Sequence, residues 1–153
     1  MQINIKYIDK DITKLEKLSQ GDLIDLRVSK VIVNGVETAF PCTYKAGDIV
    51  FVKLGVAMQL PKGYKANLYA RSSTFKNYGL ILTNAVGQID NSYCGNNDEW
   101  GAMFYALRPG VISFDDRICQ FDIQRVYMNR ITLEEVDHLE GADRGGYGST
   151  GVN

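Results

Sequence analysis

The sequence predicts an all-β domain, and three observations carry that reading. Apolar, β-branched and aromatic residues recur in short, mostly alternating runs. Glycine is abundant, at 15 of 153 residues, and proline scarce, at 3, so turns are frequent. Many short strands with turns at regular intervals are what sandwiches, jelly rolls and barrels share. At 45% apolar and 23% charged residues the chain is globular, and its length suits one domain with one substantial core.

Residues 2–8 alternate as a short strand. Asp11 to Leu18 places Ile12, Leu15 and Leu18 at a spacing that predicts a short amphipathic helix. Asp22 to Val28 alternates again and bears Asp22 and Asp25. Lys30 to Pro41 reads as strand, turn at Asn34-Gly35, strand. Lys45 to Asp48 turns the chain into Ile49 to Val52, and Val56 to Leu60 follows, closed by Pro61 to Tyr64. Ala66 to Ala70 leads into Arg71-Ser72-Ser73-Thr74. Leu80 to Leu82 and Val86 to Asp90 are short strands, and Gly87 to Gly95 reads as a β-hairpin arm with Asn91-Ser92 at its tip. Trp100 to Leu107 is a longer apolar strand, Arg108-Pro109-Gly110 a turn, and Ile118 to Val126 a strand with one buried face. From Gly141 onward the chain is rich in glycine and has almost no apolar content, so it reads as a mobile arm beyond a domain spanning 1–140.

A net charge of −1 argues against a surface that coats nucleic acid and against a polybasic membrane patch. Apolar runs are too short to span a bilayer, and the N-terminus lacks the layout of a signal peptide. Three widely spaced cysteines suit a reducing cytoplasm with no disulfide framework. One histidine and no CxxC pair argue against a protein-ligated zinc site.

Chemistry concentrates in four places. Asp90 and Tyr93 sit three positions apart across a tight turn and can face one small cavity, although the same pattern suits a plain surface hairpin. Arg71-Ser72-Ser73 offers a guanidinium fork and hydroxyl donors to phosphate, or is an ordinary surface turn. In Asp115 to Gln120, Asp116 reads as half of a structural ion pair with Arg117 or a neighbour, and Gln120 as a polar residue pointing into a site. The terminal glycines offer successive N–H groups for an anion, with Arg144 for charge and Tyr147 for stacking on a base. Together these imply a polyphosphate, a sugar and a base, with Asp90 as the polar catalyst between them.

Five pieces in this order resemble the ordered motifs of the trimeric dUTP pyrophosphatases (dUTPases). They are Gly21 to Leu26 with Asp25, Arg71-Ser72-Ser73 with Gly79, Asn84 to Gly95, Asp116 to Gln120, and Arg144 to Gly151. Two departures stand out. The second motif ends in Ser73 where the family usually has glycine, and Arg144 and Tyr147 sit closer together than the family's arginine and aromatic. The pattern is similar to a variant found in certain Gram-positive bacteria and their phages.

The resemblance implies a β jelly roll (the dUTPase-like β-clip) with short helical segments. It implies a homotrimer with sites at subunit interfaces, and magnesium-dependent cleavage of dUTP to dUMP and pyrophosphate. Asp90 would activate the attacking water. Tyr93 would pack on the deoxyribose and refuse a 2′-hydroxyl, while Asn84 and the backbone of Gly87 and Ile89 would read uracil. Arg71, Ser72, Ser73 and Gln120 would hold phosphates, with Gln120 at the catalytic centre. Asp25 would reach Mg2+ through water. Gly146, Tyr147 and Gly148 of the arm would close over the nucleotide, bringing Arg144, Ser149 and Thr150 to the γ-phosphate. Tyr147 or Trp100 would lid the base. A dCTP deaminase shares the fold, with Glu99 the only nearby catalytic glutamate here. A dUTPase-like protein that regulates a protein partner is the other alternative, with 11–18 or 33–45 the segments to examine.

Overall fold

In the computed structural model, residues 1–127 and 131–145 are described. Thirteen strands and one short helix are found among them. In chain order the strands are β1 (Asn4–Tyr7), β2 (Ile24–Leu26), β3 (Lys30–Val33), β4 (Val36–Thr38), β5 (Cys42–Tyr44), β6 (Ile49–Lys53) and β7 (Val56–Gln59). Then come β8 (Tyr64–Ala70), helix α1 (Thr74–Tyr78), β9 (Leu80–Leu82), β10 (Gly87–Ile89), β11 (Gly101–Ala106), β12 (Gly110–Ile112) and β13 (Cys119–Arg125). The all-β expectation holds.

Two sheets dominate, ordered β10-β8-β13-β2 and β4-β3-β6-β11-β9, and two-stranded pairs β1-β7 and β12-β5 complete the set. Every described pairing is antiparallel. Alternation decides which face is buried. In the five-stranded sheet Val31, Val50, Val52, Leu80, Leu82, Ala102 and Phe104 point into the core. Leu68, Cys119 and Phe121 join the same cluster from the four-stranded sheet, and Trp100 meets Phe121 edge-on at 5.1 Å.

The outward faces differ in chemistry. On the five-stranded sheet, Ile81, Tyr105 and Ile49 lie in one cross-strand row and Met103, Phe51 and Ile32 in the next, all apolar or aromatic. Ile49, Ile81, Met103 and Tyr105 are each 38–46% exposed. Exposed apolar faces of this kind are a common feature of interaction surfaces. The four-stranded sheet turns polar residues outward: Asp25, Gln120, Asp122, Asn67, Tyr69, Lys65 and Gln88. Gln120 is therefore one of a polar row, not an isolated polar residue in an apolar run.

Two expectations about secondary structure fail. The segment 11–18 is not a helix. Its amides are taken by side chains from elsewhere: Asp11 N–H donates to Asp9 Oδ1, Thr13 N–H to Asp115 Oδ1 and Leu15 N–H to Tyr7 Oη. These bonds compete directly with helical i→i−4 bonding. Ile12 is still buried, so the apolar spacing reported burial of an irregular strap rather than a helix. The Gly87–Gly95 arm is half a hairpin. Gly87–Ile89 pairs with β8, but no strand returns through residues 93–99.

Candidate active site

The cationic half of the site is built at the C-terminal end of β8. Arg71 follows Ala70, where its amide donates to Ile118 O at 3.2 Å and to Thr74 Oγ1 at 3.1 Å. The fully buried Thr74 hydroxyl donates in turn to Ile118 O at 2.7 Å, tying the Arg71-Ser72-Ser73 turn to the segment entering β13. Helix α1 closes at Gly79, whose φ of 67° is the left-handed conformation glycine adopts without strain; its N–H donates to Phe75 O. The Arg108 guanidinium caps the same end by donating to the Phe75 and Lys76 carbonyls.

Asp25, on β2, lies in register with Gln120 on β13, which faces Tyr69 on β8. Its two carboxylate oxygens are both engaged: Oδ1 by Arg71 Nε at 2.8 Å, Oδ2 by Arg117 Nη1 at 3.2 Å. Asp25 is thus a half-buried bridge between two guanidinium groups rather than a solvated edge charge. Two arginines on one carboxylate leave a net positive charge, and Arg71 keeps donors free for an anion. Asp116 does not pair with Arg117. Its Oδ2 accepts the Ser113 N–H at 2.8 Å, and Asp115 takes the neighbouring arginine, Arg27. Ser72 is exposed and Ser73 is the N-cap position of α1.

The carboxylate half lies at the other end of β8. Gly87 pairs with Leu68, and a Cβ on Gly87 would sit 3.1 Å from Leu68 Cβ, so glycine permits the close approach. Asp90 is exposed beyond Ile89. Its Oδ1 accepts the Ser92 hydroxyl at 2.5 Å and the Ser92 amide at 2.8 Å, which holds the turn and lowers the carboxyl pKa from its ordinary value. Asp90 is therefore ionised at neutral pH. Tyr93 is 43% exposed, and its hydroxyl donates to Glu99 O at 3.2 Å. A cleft of about 460 Å³ is lined by Ile89, Asp90, Tyr93, Glu99, Gly101 and Phe51, with Trp100 at its floor. Asn84 is exposed in the turn between β9 and β10.

Of the two aromatic candidates for a lid, Trp100 is ruled out by its position. It is 1% exposed and packed on Phe121. Gly146, Tyr147, Gly148, Ser149 and Thr150 lie outside the described residues; Arg144 is described and exposed. Glu99 is engaged through both carboxylate oxygens, with Gly55 N–H and Lys53, so it is not free to act as a deaminase base. The residues that sequence reasoning passed over are Arg117 and Thr74. Arg117 had a signal, standing in the same motif as Gln120; Thr74, next to Arg71-Ser72-Ser73, had none.

The two halves do not meet within one chain. Antiparallel register sets Ile89 opposite Ala66, so Asp90 lies level with residue 65, whereas Arg71 lies past the far end of β8. The steps from 65 to 71 along an antiparallel strand cover about 20 Å. In addition, β10 and β2 are opposite edges of the sheet.

Among the described residues no group of three or more His, Cys, Asp or Glu is placed to hold a metal ion, and no helix is long and apolar enough to cross a membrane. A magnesium ion retains waters and favours substrate phosphates plus one or two carboxylates. A single carboxylate with both oxygens already hydrogen-bonded fits a role through water, not direct ligation.

An ionised carboxylate beside an aromatic ring and a guanidinium pair suited to an anion are groups with which a hydrolase of a phosphorylated small molecule can be built. No protein-family model matches the chain. The SPbeta prophage-derived deoxyuridine 5′-triphosphate nucleotidohydrolase of Bacillus subtilis is 48% identical over 152 residues, covering 99% of both chains. The deoxyuridine 5′-triphosphate nucleotidohydrolase of Thermobifida fusca is 36% identical over 154 residues, covering 99% of this chain and 79% of its own. Among solved structures, the dUTPase of Staphylococcus bacteriophage 80alpha with dUpNHpp aligns with a TM-score of 0.76 at 18% identity over 99% of both chains. A dUTPase from phage phi11 of S. aureus, described with a structural Mg(II) ion, aligns at 0.73 and 15% identity over 92% of this chain and 100% of its own. This chain belongs to the deoxyuridine 5′-triphosphate nucleotidohydrolase (dUTPase) family.

Proposed function

We infer that the two half-sites are where this chain hydrolyses dUTP to dUMP and pyrophosphate, and that each complete site forms between copies of the chain. The placement of Asp90, beyond β10, and Arg71, just past β8, toward opposite ends of β8 carries this reading. The occupant we assign to the apolar outer face of the five-stranded sheet is a second copy, in the homotrimer the family resemblance implies.

Asp90 accepts a proton from a water aligned with the α-phosphorus. The water oxygen bonds to phosphorus as the bond to the β-phosphate oxygen breaks, and pyrophosphate departs. Arg71, Ser72, Ser73 and Gln120 of a neighbouring copy hold the phosphates and stabilise charge on the equatorial oxygens. Magnesium is the cofactor; Asp25 would hold it through water, and it would supply further charge neutralisation at the phosphates. Tyr93 stacks on the deoxyribose, and Asn84 with the backbone of Gly87 and Ile89 reads uracil. Residues 141–153 act as an arm that closes over a nucleotide, with Tyr147 the remaining candidate for its aromatic lid. The free cysteines Cys42, Cys94 and Cys119 support action in the cytoplasm.

Pyrophosphate release measured in parallel from dUTP, dCTP, dTTP and UTP, with and without magnesium, tests the assignment. Preference for dUTP without ammonia release is expected. Equal turnover of UTP would overturn the role of Tyr93, and ammonia from dCTP would overturn the activity.

The Ser92 hydroxyl gives a pH prediction. It stabilises ionised Asp90, so the carboxylate persists to lower pH than an ordinary aspartate. Ser92→Ala removes that donor, and Asp90 then protonates at higher pH. The acid limb of kcat/KM against pH is expected to move upward. An unmoved limb would mean another group controls it.

A further inference from the structure

Residues 90–99 carry the tyrosine that faces the sugar, yet they have no returning strand to hold them. Their own turns are local: Tyr93 N–H to Asp90 O, Gly95 N–H to Asp98 Oδ2, Glu99 N–H to Asn97 O. Ties to the rest of the fold are few among the described residues. Lys6 Nζ donates to Asn96 O, and Trp100 N–H donates to Val56 O. The remaining tie is the Glu99 side chain, which lies outside the five motifs.

Glu99 is only 12% exposed. Oε1 accepts the Gly55 N–H at 3.0 Å and Oε2 pairs with Lys53 Nζ at 3.1 Å. Gly55 is a rigid partner. Its φ is 65°, its carbonyl accepts the Ile8 and Asp9 amides, and Ile12, Ser29 and Asp9 crowd around it. The backbone carbonyl of the same Glu99 accepts the Tyr93 hydroxyl. One residue thus grips the β6–β7 turn with its side chain and the aromatic ring with its main chain.

We propose that Glu99 is a positioning residue that sets the height of the Tyr93 ring over the sugar, and so the discrimination between deoxyribose and ribose. The proposal rests on the dUTPase reading of Tyr93. Without the Glu99 carboxylate the carbonyl is free to shift, the ring loses its fixed place, and room opens for a 2′-hydroxyl. The chemistry of dUTP cleavage itself does not pass through Glu99.

The test is kcat/KM for dUTP and for UTP in the full-length assembled protein, for wild type, Glu99→Ala, Glu99→Gln and Tyr93→Phe. Glu99→Ala is expected to lower the dUTP:UTP ratio roughly tenfold, mainly through KM. Glu99→Gln keeps an oxygen for the Gly55 amide and is expected to restore most of the ratio. Tyr93→Phe removes the hydroxyl at the other end of the same link. Combining it with Glu99→Ala should add little to either alone, because both break one connection. An assembled Glu99→Ala protein with the wild-type ratio would overturn the proposal. If that variant does not fold, Lys53→Met serves: a lowered ratio supports the proposal and an unchanged ratio overturns it. Failure of the wild type to cleave dUTP, or to prefer it over UTP, would instead sink the reading of the site.

Discussion

Asp90→Asn is expected to lower kcat for dUTP by about 10²- to 10⁴-fold, the usual range for loss of a positioned proton acceptor. Asparagine has nearly the same shape, and its carbonyl oxygen can still accept from the Ser92 hydroxyl and amide. The turn that holds the loop should therefore survive. What disappears is the charge that draws a proton from water. Affinity for a non-hydrolysable dUTP analogue, measured by calorimetry, should change by no more than a few fold, since the contacts to base and phosphates lie elsewhere. Single-turnover release of pyrophosphate isolates the chemical step. Full kcat in this variant would remove Asp90 from the mechanism.

The second large effect concerns ownership of the site. Arg71→Ala is expected to be as inactive as Asp90→Asn, through loss of phosphate binding and of the guanidinium paired with Asp25. Mixing the two inactive variants in equal amounts, unfolding and refolding them together, should restore activity. A site shared between chains is intact when one copy supplies Asp90 and another supplies Arg71. Random assembly gives about a quarter of sites that combination in a closed symmetric oligomer. A site contained within one chain would give no restoration, because every chain carries one lesion. The register of β8 favours restoration, since the two residues are separated by about 20 Å within a chain.

Much of this was legible in the sequence because strand alternation and turn residues are local signals. Asn34-Gly35 reads as a two-residue hairpin turn, and β3 and β4 pair around it with Val33 opposite Val36. The segment 11–18 misled for a physical reason. Apolar spacing reports which residues are buried, and Ile12 is buried, but the helix was lost to side-chain acceptors far away in sequence, chiefly Asp115. Asp25 and Arg117 are 92 positions apart, so nothing local could reveal their pairing. Motif order singled out Asp90, Tyr93, Arg71 and Gln120 as candidates for the site. It did not reveal that they fall at two ends of one sheet, because separation in sequence says nothing about which end of a strand a residue occupies. Trp100 shows the same limit: proximity to the loop suggested a lid, whereas the ring is core.

The separation of Asp90 from Arg71 has a thermodynamic corollary. If neither copy alone offers a full set of contacts, the nucleotide binds the assembled state in preference to free chains. Mass action then makes the substrate a stabiliser of the oligomer, and the oligomer a requirement for tight substrate binding. The two equilibria are linked with equal strength in both directions. On the proposed assembly, subunit association would be part of the substrate affinity, and residues on the apolar sheet face, such as Ile81 and Tyr105, would influence nucleotide binding through the interface.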